Sequence, residues 1–143
     1  MAELPDLRDH VRDEQVPPGV VVIRGGPDSA AKLVAHAQRT ARAFVLDGRP
    51  VLGISAFAVL DDVGPSSLSR ILLRMSTYRV VHVVDAARLI EAGFGVLPTF
   101  ERPHVTITLG APREVGALVA LFGEGEPNPR YGELVHRARR HPQ

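Results

Sequence analysis

Residues 20–23 are three valines and an isoleucine, a β-branched run too short for a helix, and they predict a buried strand. Gly25-Gly26-Pro27 stops it. Beyond that turn Ala30, Leu33, Val34, Ala37, Ala41 and Phe44 recur at three- and four-residue steps. That spacing defines one helical face, with Asp28 or Ser29 as the N-cap acceptor and Asp47-Gly48 as the stop. Residues 51–60 are apolar at both alternating sets of positions, which predicts a strand covered on both sides and central in a sheet. Residues 61–65 make a turn, and residues 66–75 a second helix with Leu68, Ile71, Leu72 and Met75 inward. Residues 79–84 predict a third strand. Asp85 caps a short helix over residues 86–92, which Gly93 ends by allowing a left-handed turn. Residues 94–103, with two prolines and two aromatics, read as an irregular connection. From 104 to 109 the chain alternates, with His104, Thr106 and Thr108 on one face and Val105, Ile107 and Leu109 on the other. This is the pattern of a half-exposed strand. A last helix covers residues 113–122.

Strand and helix thus alternate four times, which predicts an α/β or α+β fold, a single domain with a four-stranded mixed sheet and flanking helices. The alternating strand at 104–109 argues for one open antiparallel face instead of a full doubly wound sheet. The domain is expected over residues 19–123. Before it lies an N-terminal arm, residues 1–18, in which Leu4, Leu7 and Val11 form a short apolar stripe before Pro17-Pro18-Gly19. After it comes a Gly/Pro-rich tail, residues 124–143. A chain of 143 residues makes one ordinary domain and buries about two thirds of its unfolded surface, so it needs no staple.

The absence of cysteine excludes a disulfide scaffold, a thiolate metal site and a catalytic thiol. With 45% apolar and 23% charged residues, no apolar run near membrane-spanning length and an acidic N-terminus, the chain is expected to be cytoplasmic, with no membrane partner. Its net charge of +1 rests on sixteen arginines and one lysine, Lys32. Such a bias reflects GC-rich coding as much as phosphate binding. The clearest basic block is C-terminal: His136, Arg137, Arg139, Arg140 and His141.

Three constellations carry candidate chemistry. Arg24 leaves the first strand into a glycine turn that opens a helix, where backbone N–H groups can hold an anion. The turn lacks the third glycine of a dinucleotide fingerprint and the lysine of a P-loop. In Arg102-Pro103-His104-Val105-Thr106-Ile107 a histidine and a threonine project from one face of a strand, about 7 Å apart, with an arginine beside them. This segment resembles the His-x-Thr element of the two-histidine phosphoesterases. That resemblance implies proton transfer by His104 and phosphate binding by Thr106 and Arg102; His82-Val83-Val84, the nearest second copy, lacks the hydroxyl. The succession Arg24, Ser55, Glu101 resembles that of an ADP-ribosyltransferase class, which implies NAD held by the arginine and the serine and a glutamate facing the ribose.

The histidines and the Asp61-Asp62 turn do not form a metal-ligand pattern, so no metal or cofactor is expected. Arg70, Arg74 and Arg79 offer a basic face, and Tyr78 or Phe100 a ring on which a base can stack. The expectation that gathers most of these residues is a small metal-independent ribonuclease-like enzyme of the toxin or defence kind. His104, Thr106 and Arg102 are its catalytic candidates, and Arg24, Arg79, Tyr78 and Ser55 its substrate-binding ones. Its partners would be RNA and a protein such as an antitoxin or a second copy. The rival expectations are NAD-dependent ADP-ribosyl transfer, and a non-catalytic domain that binds RNA or docks a protein through the arm.

Overall fold

A computed structural model describes residues 3–26 and 29–134. Pro27 and Asp28 of the glycine turn and the basic block from His136 to His141 lie outside the described residues. In chain order the elements are a 3-10 turn (Leu7–His10), β1 (Val21–Gly25), α1 (Ala30–Ala43), β2 (Val45–Leu46), β3 (Arg49–Pro50), β4 (Leu52–Ala58) and α2 (Leu68–Arg74). There follow β5 (Val80–Asp85), α3 (Ala86–Glu91), β6 (Gly95–Pro98), β7 (His104–Leu109), a second 3-10 turn (Pro112–Glu114), α4 (Val115–Phe122) and β8 (Glu126–Pro127).

The sheet corrects the expected four-stranded mixed arrangement. It has six strands in the order β6-β7-β4-β1-β5-β8, and every hydrogen-bonded pair is antiparallel. Alternation of strand and helix is still visible in it. β4 and β5 both run antiparallel to β1 and so parallel to each other, with α2 as their crossover. By the same parity α3 joins two parallel strands, β5 and β6, and α4 joins β7 and β8. One strand separates the first pair and three separate each of the others, so no parallel pair is side by side. β1 and β4 are the exception. Thr40 Oγ1 of α1 donates to Gly53 O at 2.9 Å, which places the end of α1 at the start of β4, at the same end of the sheet as the exit from β1. The helix therefore does not carry the chain back along the sheet, as a parallel crossover would require.

Local chemistry accounts for the element ends. Asp47-Gly48 does not stop α1, which ends at Ala43; it makes the tight turn of the β2–β3 hairpin, with φ of 52° and 80°. Both central residues of that turn type need positive φ, a conformation Asp tolerates and Gly favours. Ser29 occupies the N-cap of α1 without a side-chain hydrogen bond, whereas Asp85 caps α3 by accepting from Ala87 N–H at 2.8 Å. Part of the segment read as irregular pairs with β7 as β6.

The two faces are covered unequally. One carries Val22, Ile54, Ala56, Ala58, Val84, Val105, Ile107 and Leu109 under Leu33 and Ala37 of α1, Leu89 of α3 and Val115, Leu118 and Phe122 of α4. On the other, α2 packs Ile71, Leu72 and Met75 on Ile23 and Val81, each such burial giving about 1.5–3 kcal/mol. Among the described residues no helix continues this cover over the middle of β4 and β7, where Ser55 is exposed. β4 is central, as expected, but one of its faces carries glycine and serine.

The arm lies along its own domain. Leu7 is buried, Val45 N–H donates to Pro5 O at 3.0 Å and Arg12 N–H to Pro98 O at 2.8 Å, and Val11 bridges Thr99. At the other end β8 extends the sheet, and buried Asn128 donates to Leu72 O, Met75 O and Tyr78 O.

Candidate functional site

The uncovered half-face is built by register. Phe57 pairs with His104, Ser55 with Thr106 and Gly53 with Thr108, and Leu97 of β6 lies beside Thr106. A side chain at Gly53 would meet Thr106 Cγ2 at 2.8 Å and Thr40 Cγ2 at 3.0 Å, so a glycine makes room there for the threonines.

His104 is held through a hydroxyl pair. Thr99 Oγ1 is 3.0 Å from His104 Nδ1 and 2.7 Å from Thr106 Oγ1, and both threonines are buried. Thr106 does not face solvent, as its strand pattern implied, because Thr99 covers it. The His104 ring stands at a steep angle to the rings of Phe57 and Phe100, with centroids at 5.8 Å and 5.5 Å. Burial lowers the His104 pKa; a hydrogen bond with the Thr99 backbone opposes that shift, and the positive charges of Arg12 and Arg74 add to it. The surroundings of His104 therefore favour the neutral imidazole over the charged form. Among the described residues nothing hydrogen-bonds its Nε2.

Arg12 organises the loop beneath. Its guanidinium donates to Thr99 O, Phe100 O and His104 O at 2.9, 3.0 and 3.2 Å, while its Nε donates to Glu14. Phe100, in the middle of this loop, has φ of 57°, a region that an aromatic residue seldom adopts and that functional loops often hold. Its half-exposed ring touches His10 at 5.0 Å and Phe44 at 5.6 Å. At the other end of this row the Arg74 guanidinium stacks on Phe57 at 4.9 Å. Five rings and an arginine thus form one chain of contacts along the edge of the uncovered half-face.

The other sequence candidates are dispersed. Arg102 does not join His104: it binds Asp61 at 2.7 Å and Glu14 at 3.2 Å. Arg24 is buried on the helix-covered face with Phe122 at 5.1 Å, whereas Ser55 points from the opposite face, so Arg24, Ser55 and Glu101 do not meet in one cleft. His82 lies on the Arg24 face, its Nδ1 3.2 Å from Gly123 O. Tyr78 lies over Gly25, where a Cβ would come within 2.6 Å of the ring, and Arg79 stacks on Tyr131 at 5.4 Å. The sequence argument brought together His104, Thr106 and Ser55. It missed His10, Arg12, Phe44, Phe57 and Thr99, whose approach depends on how the arm and the end of α1 lie. Grooves of about 410 Å³ between the arm and β6, and of about 490 Å³ between α2 and β8, leave His104 outside both.

No protein-family model, curated protein or solved structure matches this chain. What it does must be read from the half-face itself.

Proposed function

We propose that this chain binds single-stranded RNA along the β4–β7 half-face and cleaves it without a metal ion, with His104 as general base. The observation that carries this reading is the half-buried imidazole set in a row of rings, its Nδ1 held by Thr99 and its Nε2 left for a ligand. Rings that stack successive bases, with an arginine beside them, are the common means of holding an unpaired strand. Phe100 and Phe57 supply the rings here, and Arg74 supplies the charge facing the phosphate in place of Arg102 and Arg24.

A base needs a lone pair on Nε2 and therefore the proton on Nδ1. Thr99 serves that tautomer by accepting Nδ1–H and donating its own proton to Thr106, so Thr106 orients the base through Thr99. Nε2 then takes the proton of a ribose 2′-hydroxyl. DNA has no such hydroxyl and is not cut. The exposed Ser55 hydroxyl, in register with Thr106, is a further donor on the floor.

The test is incubation of unstructured RNA and of matching DNA with the protein in EDTA. Wild type cleaves the RNA only, and His104→Ala loses about 10²–10⁴ in rate, the usual worth of a positioned acid–base group. A wild-type protein that leaves RNA intact, or a variant as fast as wild type, ends the proposal.

A further inference from the structure

Phe100 has a histidine on each side. His10 comes from the 3-10 turn of the arm and stacks at a tilt on the ring Phe100 presents, 5.0 Å between centroids, and His104 meets that ring edge-on at 5.5 Å. The two imidazole centroids are therefore no more than 10.5 Å apart. His10 is exposed, yet its backbone is well fixed. Phe100 N–H donates to His10 O at 2.9 Å, the next residue bridges Thr99, Arg12 N–H donates to Pro98 O, and buried Leu7 anchors the same turn. The Phe44 ring stands nearly perpendicular to the His10 ring, with centroids 5.7 Å apart. Among the described residues no hydrogen bond reaches the His10 imidazole, so the ring does not serve to satisfy a polar group of the core.

Cleavage of RNA by its own 2′-hydroxyl needs two proton transfers on opposite sides of the phosphorus. One group takes the proton of the attacking hydroxyl, and a second gives a proton to the departing 5′-oxygen. The proposed function provides only the first. We infer that His10 is the second, a general acid that protonates the leaving group while His104 acts as base, with Phe100 seating a base between them. This inference rests on the RNA-cleaving reading and adds the leaving-group side of it. In the step, the 2′-oxygen forms a bond to phosphorus and the bond from phosphorus to the 5′-oxygen breaks. The 2′-hydroxyl proton passes to Nε2 of His104, and the proton of the His10 imidazolium passes to the 5′-oxygen. The products are a 2′,3′-cyclic phosphate and a 5′-hydroxyl, and no co-reactant is consumed. Hydrolysis of the cyclic ester, with the two roles exchanged, returns both histidines to their starting forms.

A general acid is needed only where the leaving group is poor, and this separates its role from that of a residue that merely binds. The probes are a dinucleotide with a 5′-alkoxide leaving group and a uridine 3′-phosphate ester of 4-nitrophenol, whose leaving group departs without a proton. On the dinucleotide, His10→Gln is expected to lose about 10²–10⁴ in kcat. On the nitrophenyl ester that loss is recovered to within about tenfold of wild type, whereas His104→Gln stays slow on both. His10→Gln equally slow on both esters would overturn the acid role, since it would show that His10 only positions substrate or the loop. So would His10→Gln unimpaired on the dinucleotide. Wild type inactive on both esters and on RNA would remove the parent reading as well, a different outcome from either. Urea unfolding of His10→Gln checks that the arm is still docked, its expected midpoint being that of wild type.

Discussion

Arg12 is the residue on which the site geometry depends most, and its removal can be worked through. The guanidinium makes hydrogen bonds to two carbonyls of the loop between β6 and β7, to the carbonyl of His104 at the start of β7 and to Glu14, and its side chain is only 20% exposed. A hydrogen bond to a charged group contributes about 1.5–3 kcal/mol to stability. Three of them do not sum, because one side chain makes all three and water reaches part of the loop once it is gone. Arg12→Met keeps the aliphatic stem and removes the fork, at an expected cost of about 3 kcal/mol. Arg12→Lys keeps the charge but cannot span three acceptors, and should lose roughly half as much.

For a domain whose total stability is about 5–15 kcal/mol, a loss of that size is large. With a urea m-value of about 1–3 kcal/mol/M, the Arg12→Met midpoint falls by about 1–3 M. The second readout is the His104 ring, titrated by NMR. In wild type its pKa lies below the ordinary histidine value, because of burial and then the nearby positive charges of Arg12 and Arg74. Arg12→Met removes one of those charges and loosens the loop that buries the ring, so the pKa rises. Arg12→Lys leaves the charge in place and moves it less. A midpoint within about 0.5 kcal/mol of wild type, together with an unmoved His104 titration, would refute the reasoning. It would show that the loop holds its shape by its own turn geometry.

Two further outcomes test the same frame from different sides. Leu7, 1% exposed in the arm, should cost about 3 kcal/mol when changed to Ala, as buried leucines do; a change under about 1 kcal/mol in urea unfolding would mean that the arm is not docked in solution. Stability should also decline with acid through His104 and His36, whose pKa values are both lowered, in each case chiefly by burial. The unfolded chain takes up their protons more readily than the fold does, so this contribution is present above about pH 6.5 and is lost as pH falls toward the folded values. His104→Gln should flatten that decline in the urea midpoint measured from pH 7.5 to 5.5, and an unchanged slope would contradict the burial of its ring.

The periodicities of this sequence gave the elements more reliably than their arrangement. The alternation in residues 104–109 located β7 to the residue, because a strand with one apolar and one polar face leaves a pattern of period two. The alternation of strands and helices suggested parallel neighbours, and the crossovers through α2, α3 and α4 do join parallel strands. What the pattern does not encode is which strands come between the members of each pair. For β4 and β5 the intervening strand is β1, and where α1 ends bears on it: Thr40 bonds to Gly53 through a side chain that reads as an ordinary helix position. Arg102 was misplaced for a similar reason. Adjacency to His104 in sequence suggested adjacency in space, but Asp61 and Glu14 draw the guanidinium away, one from the β4–α2 loop and the other from the arm.

Thr106 shows why this half-face is more than an unfinished surface. It lies on a strand with neighbours on both sides, 4% exposed, and a buried hydroxyl there costs free energy unless it finds a partner. A core position would ordinarily be filled by valine, which has the same shape and no such requirement. Here the hydroxyl meets Thr99, itself fully buried, and Thr99 in turn meets Nδ1 of His104. The pair therefore spends two buried polar groups on fixing one imidazole, and the same loop is held in place by an arginine from the other end of the chain. Packing alone needs none of this. An arrangement that brings the arm, the end of β6 and β7 together on a single imidazole is the strongest physical support for the proposal that sets His104, and neither of the two grooves described above, at the centre of the chemistry.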